Sequence, residues 1–235
     1  LKHGDYVGKL EVENGKYLPF NFSIANDSTL LVKNSSEIVD FSIDYIMDSV
    51  FIKSKVFEGY IKGVLINNKI DGVFVIESLD RSVPFNSYKS NKRFDIDFEE
   101  NKKLINNKWK FIFNPGMYNP SSSIGIFNSY GKNEISATFR TTTGDYGYMH
   151  GGYVDGTMVL STFNGSRAYL LEAELTNDSI KGVMYAGNHS KTIIEGVLDN
   201  DFELANAYSL TSLKSNVQKF DFSFEDTAGK LVSID

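Results

Sequence analysis

The segment 135–150 contains the residues of this chain that are best suited to a chemical role. Thr143, Asp145, Tyr146 and Tyr148 bring a hydroxyl, a carboxylate and two phenols together beside a glycine turn. Such a loop could hydrogen-bond a peptide or a sugar while the tyrosine rings supply flat apolar surface. The competing interpretation is structural, with Asp145 and the threonines bonding the local backbone and the tyrosines packing across strands. The residues alone favour this second interpretation.

A second segment, 160–169, contributes two further polar residues, Asn164 and Arg167, at an Asn-Gly turn signal. Both segments would be hairpin ends of neighbouring strands, which lie about 4.8 Å apart, so we expect them to be adjacent. Arg140 could also pair with Asp145 across the first loop. The candidate binding or docking residues are therefore Arg140, Thr143, Asp145, Tyr146, Tyr148, Asn164 and Arg167.

No catalytic residue, metal ligand or cofactor is predicted for this chain. It contains no cysteine, which excludes thiolate chemistry, and its three histidines lack the paired spacing of a metal site. Of these, His189 is expected in a solvated turn. The serines at 121–123 have no adjacent His–Asp pattern, and no glycine-rich strand-to-helix loop indicates phosphate binding. Glu172 and Glu174 lie two residues apart on one strand face, which an exposed face explains better than a pair of catalytic acids.

The charge pattern excludes one class of partner. With 24 basic and 30 acidic residues the net charge is −6, and no basic stripe stands out that could neutralise nucleic-acid phosphates. No apolar run approaches the roughly 18 residues that a membrane span needs. Of the 235 residues, 41% are hydrophobic, which suffices for the core of one large all-β domain or of two small ones.

Period-two alternation of apolar and polar residues runs through the chain and predicts an all-β fold. It is clearest in 20–24, 109–113 and 135–139, where every second residue is apolar. Turn dipeptides separate such runs, because Asn-Gly and Asp-Gly readily adopt the positive φ angles of a tight hairpin. These dipeptides occur at Asn14-Gly15, Asp71-Gly72, Asp155-Gly156 and Asn164-Gly165. Roughly sixteen short strands are expected from this spacing.

The order of strands in the first half of the chain repeats in the second half. The stretch 48–74 has a counterpart in 156–184, and both contain an Ile-x-Gly-Val phrase. An internal duplication explains this, although any two β-meanders with glycine turns look alike. We expect two successive antiparallel meanders, packed against each other, that form lipocalin-like barrels or a barrel and a sandwich.

Changes in composition set the predicted boundaries along the chain. The linker between the two β units contains one possible strand, in which Phe94, Ile96 and Phe98 alternate with polar residues, and a short helix is possible near 204–213. The predicted parts are a first β unit at 5–85, a charged linker at 86–106, a second β unit at 107–198 and an exit segment at 199–235.

Segments 135–150 and 160–169 closely resemble the N-terminal domain that precedes thioredoxin in many TlpA-like proteins. The family's Thr-x-Thr-Gly-Asp-Tyr turn and Leu-Ser-x-Phe-Asp-Gly hairpin are matched here by 141–146 and, with one change, by 160–165. The likeness is strong over the second half of the chain and loose over the first. Asn164 stands where the pattern prefers Asp, and Arg167 where it commonly has His. A role that depends on the charge or the proton transfer of that pair is therefore not expected here.

The last stretch, 219–235, resembles the entry into the thioredoxin-like domain of the TlpA-type disulfide oxidoreductases and their AhpC/TSA relatives. Phe220, Phe222 and Phe224 alternate with polar residues, a turn-like stretch follows, and the alternation resumes at Leu231. In that family a catalytic Cys-X-X-Cys follows a few tens of residues later. The resemblance therefore implies that the thioredoxin-like domain itself is missing from this chain.

The resemblance implies a non-catalytic N-terminal accessory domain of an exported bacterial thiol-disulfide oxidoreductase, used for docking, spacing or substrate presentation. The parent would be a TlpA-like or a peroxiredoxin-like protein, periplasmic or tethered outside the cytoplasmic membrane by an N-terminal anchor absent from this chain. Its partners would be the downstream thioredoxin-like domain and a protein or hydrophobic ligand. The alternative is a lipocalin-like binding module for a hydrophobic or glycan ligand, since aromatic residues are dense around Tyr146 and Tyr169.

Overall fold

The computed structural model describes residues 1–100, 104–105, 107–176, 178–214, 216, 219 and 222–234. The chain is all-β and forms two closed, eight-stranded antiparallel barrels, which confirms the fold class predicted from the sequence. It divides into two compact units, Leu1–Phe202, which contains both barrels, and Glu203–Asp235. Among the described residues, no helix is long and apolar enough to cross a membrane.

The first barrel is an up-and-down meander in which each strand pairs with the next and the last pairs back with the first. Alternate residues point inward because side chains alternate along a strand, and Phe20, Phe22 and Ile24 are each at most 4% exposed. Its strands are β1 (Gly4–Glu13), β2 (Lys16–Asn26), β3 (Thr29–Asn34), β4 (Glu37–Ile46), β5 (Ser49–Ser54), β6 (Tyr60–Ile66), β7 (Lys69–Ile76) and β8 (Arg81–Lys89).

The second barrel has the same topology. Its strands are β9 (Lys108–Phe113), β10 (Ser121–Tyr130), β11 (Glu134–Thr141), β13 (Met149–Val154), β14 (Thr157–Phe163), β15 (Ala168–Leu175), β16 (Ser179–Ala186) and β17 (Ser190–Leu198), with β12 (Gly144–Asp145) between β11 and β13. Pairing of β17 with β9 closes the barrel, and the short β12 folds back onto the end of β11. The predicted inward face of β11 is confirmed, since Ile135, Ala137 and Phe139 are buried.

Most of the predicted turns form, and one does not. Asp155 and Gly156 make the β13–β14 turn with φ angles of 49° and 83°. The predicted turn at Asp71-Gly72 is wrong, because both residues lie inside β7 and the turn is Asn67-Asn68, with φ angles of 50° and 61°. Glycine is needed at position 72 for another reason: a Cβ there would lie 2.1 Å from the carbonyl oxygen of Lys62 on the neighbouring strand.

The strand predicted in the linker does not form. In the described residues between β8 and β9, 90–100 with 104, 105 and 107, the only β-bridge joins Glu99 to Tyr153. Both barrels are closed, so almost all of their strand edges are already paired, and the N–H of Glu99 reaches the Tyr153 carbonyl, at 2.7 Å, just beyond the end of the β11–β13 ladder. Phe94 instead packs on the core of the first barrel, and the ring of Phe98 covers Gly152 of the second.

Aromatic side chains fill the interior of each barrel. In the second barrel, the ring of Phe139 lies 5.0 Å from that of Phe111 and 6.1 Å from that of Phe127. Gly125 and Gly196 make room for Phe111, since a Cβ at either position would lie within 2.6 Å of its ring. An eight-stranded barrel is only just wide enough for its own side chains, so these large aromatic rings fill the interior.

The second unit contains a β-hairpin of β18 (Phe222–Glu225) and β19 (Leu231–Ile234). Its turn is held by Asp226, whose Oδ1 accepts hydrogen bonds from the N–H groups of Ala228 and Lys230, both at 2.9 Å. This is the strand–turn–strand order expected for the tail, although Phe220 lies outside the described residues. Only a single 3₁₀ turn, Ala207–Ser209, forms where a short helix was possible.

Candidate docking site

The loop between β11 and β13 bonds mainly to itself. Thr141 Oγ1 donates to the carbonyl oxygen of Gly144 at 2.8 Å and accepts from the N–H of Thr143 at 3.3 Å. The carboxylate of Asp145 accepts from the N–H of Gly147 at 2.8 Å. Hydrogen bonds of this kind hold a loop in one conformation without any ligand. They are the bonds that the structural interpretation of the sequence expects.

Tyr146 packs over the inward-facing aromatic residues of the second barrel. Its ring stacks on Phe113 at 5.4 Å between centroids, lies 5.0 Å from Tyr169 and meets the edge of Phe139 at 6.2 Å. Burial raises the pKa of the Tyr146 phenol, Tyr169 raises it further, and Arg167 opposes the rise. The phenol therefore stays protonated at neutral pH, and the ring serves to cover the core rather than to present a reactive group.

The other predicted residues of this loop are available to a partner. The side chains of Arg140, Thr143 and Asp145 are exposed, and Tyr148 is 43% exposed. The backbones of Arg140 and Asp145 pair across the β11–β12 ladder. No ion pair joins their side chains in the described structure, because the Asp145 carboxylate is turned to the Gly147 N–H. A hydroxyl, a carboxylate, a guanidinium and a phenol are thus presented on a loop of fixed shape.

The turn between β14 and β15 meets this loop, as the sequence predicts. Asn164 Oδ1 accepts hydrogen bonds from the N–H groups of Ser166 at 3.0 Å and Arg167 at 2.8 Å, which fixes the turn. Any acceptor oxygen can do this, so Asn serves where the family pattern prefers Asp. Arg167 Nη1 then donates to the backbone carbonyl of Asp145 at 2.5 Å. This bond joins the two sequence-predicted segments into a single surface.

Phe163, which precedes this turn, belongs to the core of the first barrel although it lies on β14 of the second. Its ring is fully buried and stacks on Phe20 at 4.3 Å, meets Phe74 edge-on at 5.0 Å and lies 6.0 Å from Phe41. The buried amide of Asn34 donates to the Phe163 carbonyl oxygen at 2.8 Å. Three residues from different strands of the first barrel thus surround a plug that the second barrel supplies.

Arg93, in the linker, is a buried cation that bonds to both barrels. Its guanidinium donates to Asn21 Oδ1 at 3.0 Å and, with a short bond, to the carbonyl of Lys33, both in the first barrel. It also donates to the carbonyl of Ser161 in the second barrel at 2.7 Å. Burial lowers the pKa of Arg93 to about 9, so the side chain stays charged at neutral pH. The sequence gives no signal for this role, because the partners lie about seventy residues away on either side.

His150 and Glu134 form a second polar group near Arg93. His150 Nε2 lies 3.3 Å from Glu134 Oε2, and the ring of Tyr130 packs edge-to-face on the imidazole at 4.8 Å. Burial and the nearby charge of Arg93 lower the pKa of His150 to about 3. Burial raises the pKa of Glu134, and the nearby charge of Arg93 partly offsets this rise. No group of three or more His, Asp or Glu residues that could hold a metal occurs among the described residues.

Comparison with known proteins adds little to this geometry. No protein-family model matches the chain, and no curated protein matches it. Among solved structures, the chain matches the crystal structure of a protein from Bacteroides fragilis described as a "putative outer membrane protein". The identity is 8% and the TM-score 0.27, with 84% of this chain and 96% of the other covered. Similarity at this level supports no inference about function.

Proposed function

We propose that this chain is a non-catalytic accessory domain of an exported, TlpA-like thiol-disulfide oxidoreductase, in which it docks or presents a protein to a thioredoxin-like domain. The dithiol chemistry would belong to that second domain, because this chain has no cysteine. The parent protein would act outside the cytoplasmic membrane, as a periplasmic or membrane-tethered oxidoreductase or peroxiredoxin-like protein.

The bond from Arg167 to the Asp145 carbonyl is the observation that carries this proposal. It unites the two segments on which the family resemblance rests, and it leaves the side chains of Asp145, Thr143 and Tyr148 exposed on a fixed loop. A surface that is already rigid loses little conformational entropy when a partner binds, which favours docking. The β18–β19 hairpin gives further support, since it has the strand order that the resemblance expects of an entry into a second domain.

The packed barrel interiors favour docking over the lipocalin-like alternative. A carrier barrel needs a cavity for its ligand, whereas Phe20, Phe85 and Phe163 fill the first barrel and Phe111 and Phe139 fill the second. A hydrophobic ligand would have to displace these rings. Native mass spectrometry of the purified protein separates the two functions, since a stoichiometric bound lipid would favour the carrier.

Substitution of Tyr148 in the parent polypeptide tests the proposal. We expect Tyr148→Ala to slow reduction of a protein disulfide by about fivefold, which corresponds to the loss of about 1 kcal/mol at an interface. Reduction of a small disulfide such as oxidised glutathione should be unchanged, because it needs no docking. Tyr17→Ala is the matched control, since Tyr17 is 40% exposed and lies on β2 of the first barrel.

Two results would contradict the proposal. Equal activity of the wild type, Tyr148→Ala and Asp145→Ala on protein disulfides would remove the docking role. Reduction of insulin disulfides by the present chain alone would show chemistry that a cysteine-free domain should not have. Thermal melts of each variant separate a loss of docking from a loss of folding.

A further inference from the structure

A cleft of about 550 Å³ lies between the two barrels, away from the docking loop. The β1–β2 hairpin of the first barrel and the β16–β17 hairpin of the second form its walls. Its volume falls in the range of small-molecule sites, about 300–1,000 Å³. We infer that this cleft is a binding site for a neutral saccharide, a role that is independent of the proposed docking function.

Ion pairs hold the base of the cleft in place. Tyr185 is 5% exposed, and the ammonium groups of Lys16 and Lys191 lie 4.8 and 5.2 Å from its ring centroid. Lys191 Nζ pairs with Glu13 Oε1 at 3.1 Å, and Lys16 makes a short bond to Glu172. Each pair joins a residue of one barrel to a residue of the other. These pairs position Glu13, Lys191 and the Tyr185 ring before any ligand arrives, which lowers the cost of binding.

Several lining groups keep hydrogen-bonding capacity beyond these pairs. Asn188 donates one amide hydrogen to the carbonyl of Ser82 at 3.1 Å, which leaves its amide oxygen and its second hydrogen. Glu11 Oε1 accepts from the N–H of Gly15 at 3.1 Å, which leaves Oε2. Asn14 adds a further amide to the lining. Donors and acceptors are thus mixed along the walls, as the hydroxyl groups of a sugar require.

The charges around the cleft balance, so an ionic ligand of either sign gains no net attraction from them. Glu11 and Glu13 supply two negative charges, and Lys191 and the nearby Arg81 supply two positive charges. Burial, together with Arg81, lowers the pKa of His189, so this lining residue is a neutral donor and acceptor at pH 7. The exposed ring of Pro84 offers an apolar patch for the C–H face of a sugar ring. A lipid tail would instead need walls that are mostly apolar.

Titration with matched sugars tests this inference. Glucose, maltose and cellobiose are the neutral probes, and glucosamine and glucuronate are the charged comparators. We expect saturable shifts in the two-dimensional amide NMR spectrum for at least one neutral sugar, with a Kd of about 1 mM or tighter. The charged sugars should bind at least about tenfold more weakly.

Substitutions in the cleft show whether the shifts arise there. Asn188→Ala should weaken binding by about tenfold, whereas Asn128→Ala, an exposed asparagine on β10, should leave it unchanged. Thermal melts of both variants check that each is folded. The inference is overturned if no neutral sugar gives saturable shifts, if a charged sugar binds as tightly as the neutral ones, or if Asn188→Ala binds like the wild type.

Discussion

The two barrels share one topology, yet their ends are closed in different ways. In the second barrel, Tyr146 of its own β12–β13 segment packs over the inward-facing Phe113 and Phe139. The first barrel depends on its neighbour, since Phe163 from β14 completes its core between Phe20 and Phe74. Similar strand order therefore does not make the two halves independent. One compact unit, Leu1–Phe202, contains both barrels, and we expect the core of the first barrel to depend on Phe163 of the second.

Truncation of the plug should have the largest effect. Phe163→Ala removes a fully buried ring and leaves a cavity among three other phenylalanines, so we expect a loss of about 3–5 kcal/mol in the free energy of unfolding. Urea denaturation measures this loss. The matched control is Phe51→Ala, because Phe51 lies half-buried on the outer face of β5 and contacts Lys62 and Tyr60. Equal losses for the two variants would contradict the role of Phe163 as a plug.

Removal of the buried guanidinium should cost less. Arg93→Met retains apolar volume but leaves a buried acceptor on Ser161 and part-buried acceptors on Asn21 and Lys33 without their donor, which we expect to cost about 2–3 kcal/mol. The neighbouring substitution Lys92→Met is the control, since Lys92 is exposed and pairs with the exposed Asp97 at 3.3 Å. Exposed pairs of that kind contribute less than about 1 kcal/mol. A loss for Lys92→Met that equals or exceeds the loss for Arg93→Met, measured by urea denaturation, would contradict the role of Arg93 in joining the two barrels.

The buried histidine should make the fold sensitive to acid. The pKa of His150 is lowered from 6.5 to about 3, so between these values the unfolded chain binds a proton that the folded chain does not. Stability that is present above pH 6.5 is therefore lost as the pH falls towards 3, by at most about 1.4 kcal/mol per pH unit.

Substitution of this histidine isolates its contribution to acid sensitivity. His150→Gln should retain about 2–3 kcal/mol more of its neutral-pH stability than the wild type at about pH 4.5, as measured by urea melts across this range. His3→Gln, at an exposed position, should follow the wild-type curve. If the free energy of unfolding falls equally with pH in the wild type and in His150→Gln, the acid sensitivity does not arise from His150.

The smallest effect is expected at the turn residue. Asn164→Asp keeps the oxygen that accepts from Ser166 and Arg167. The free energy of unfolding, followed by thermal melts, should therefore change by less than about 0.5 kcal/mol. Asn164→Ala removes that acceptor and should cost about 1 kcal/mol. If Asp destabilises the protein as much as Ala, the turn depends on the amide itself rather than on an acceptor oxygen.

The sequence predicts the features that depend on local pattern. Alternation along β2, β9 and β11 identifies the inward faces, and the contact between the Asp145 loop and the Arg167 turn follows from strand order. The prediction at Asp71-Gly72 fails because glycine there relieves a close approach between strands, which is a non-local requirement. A pattern rule cannot separate that use of glycine from its use in a turn.

The residues that join the barrels could not be identified in the same way. In the sequence, Arg93 is one of several charged residues in the linker, and nothing distinguishes it from the others. Glu134 and His150 are sixteen positions apart, so no local pattern links them. A weak signal does exist for the plug region, since Leu170 and Leu171 are consecutive apolar residues that cannot face the same side of a strand. Both are buried, one against each barrel. Consecutive apolar residues in a barrel strand therefore indicate a second packing partner.

Hydrogen exchange on Phe163→Ala tests most directly whether the second barrel completes the first. Protection should fall in peptides from 18–24, 39–43 and 72–76 of the first barrel, while peptides from 109–113 and 135–139 remain protected. Tyr146→Ala should give the reverse pattern, because that ring covers the second barrel. If the faster exchange in Phe163→Ala were confined to 157–170 and the first barrel kept its protection, the dependence of one barrel on the other would be refuted.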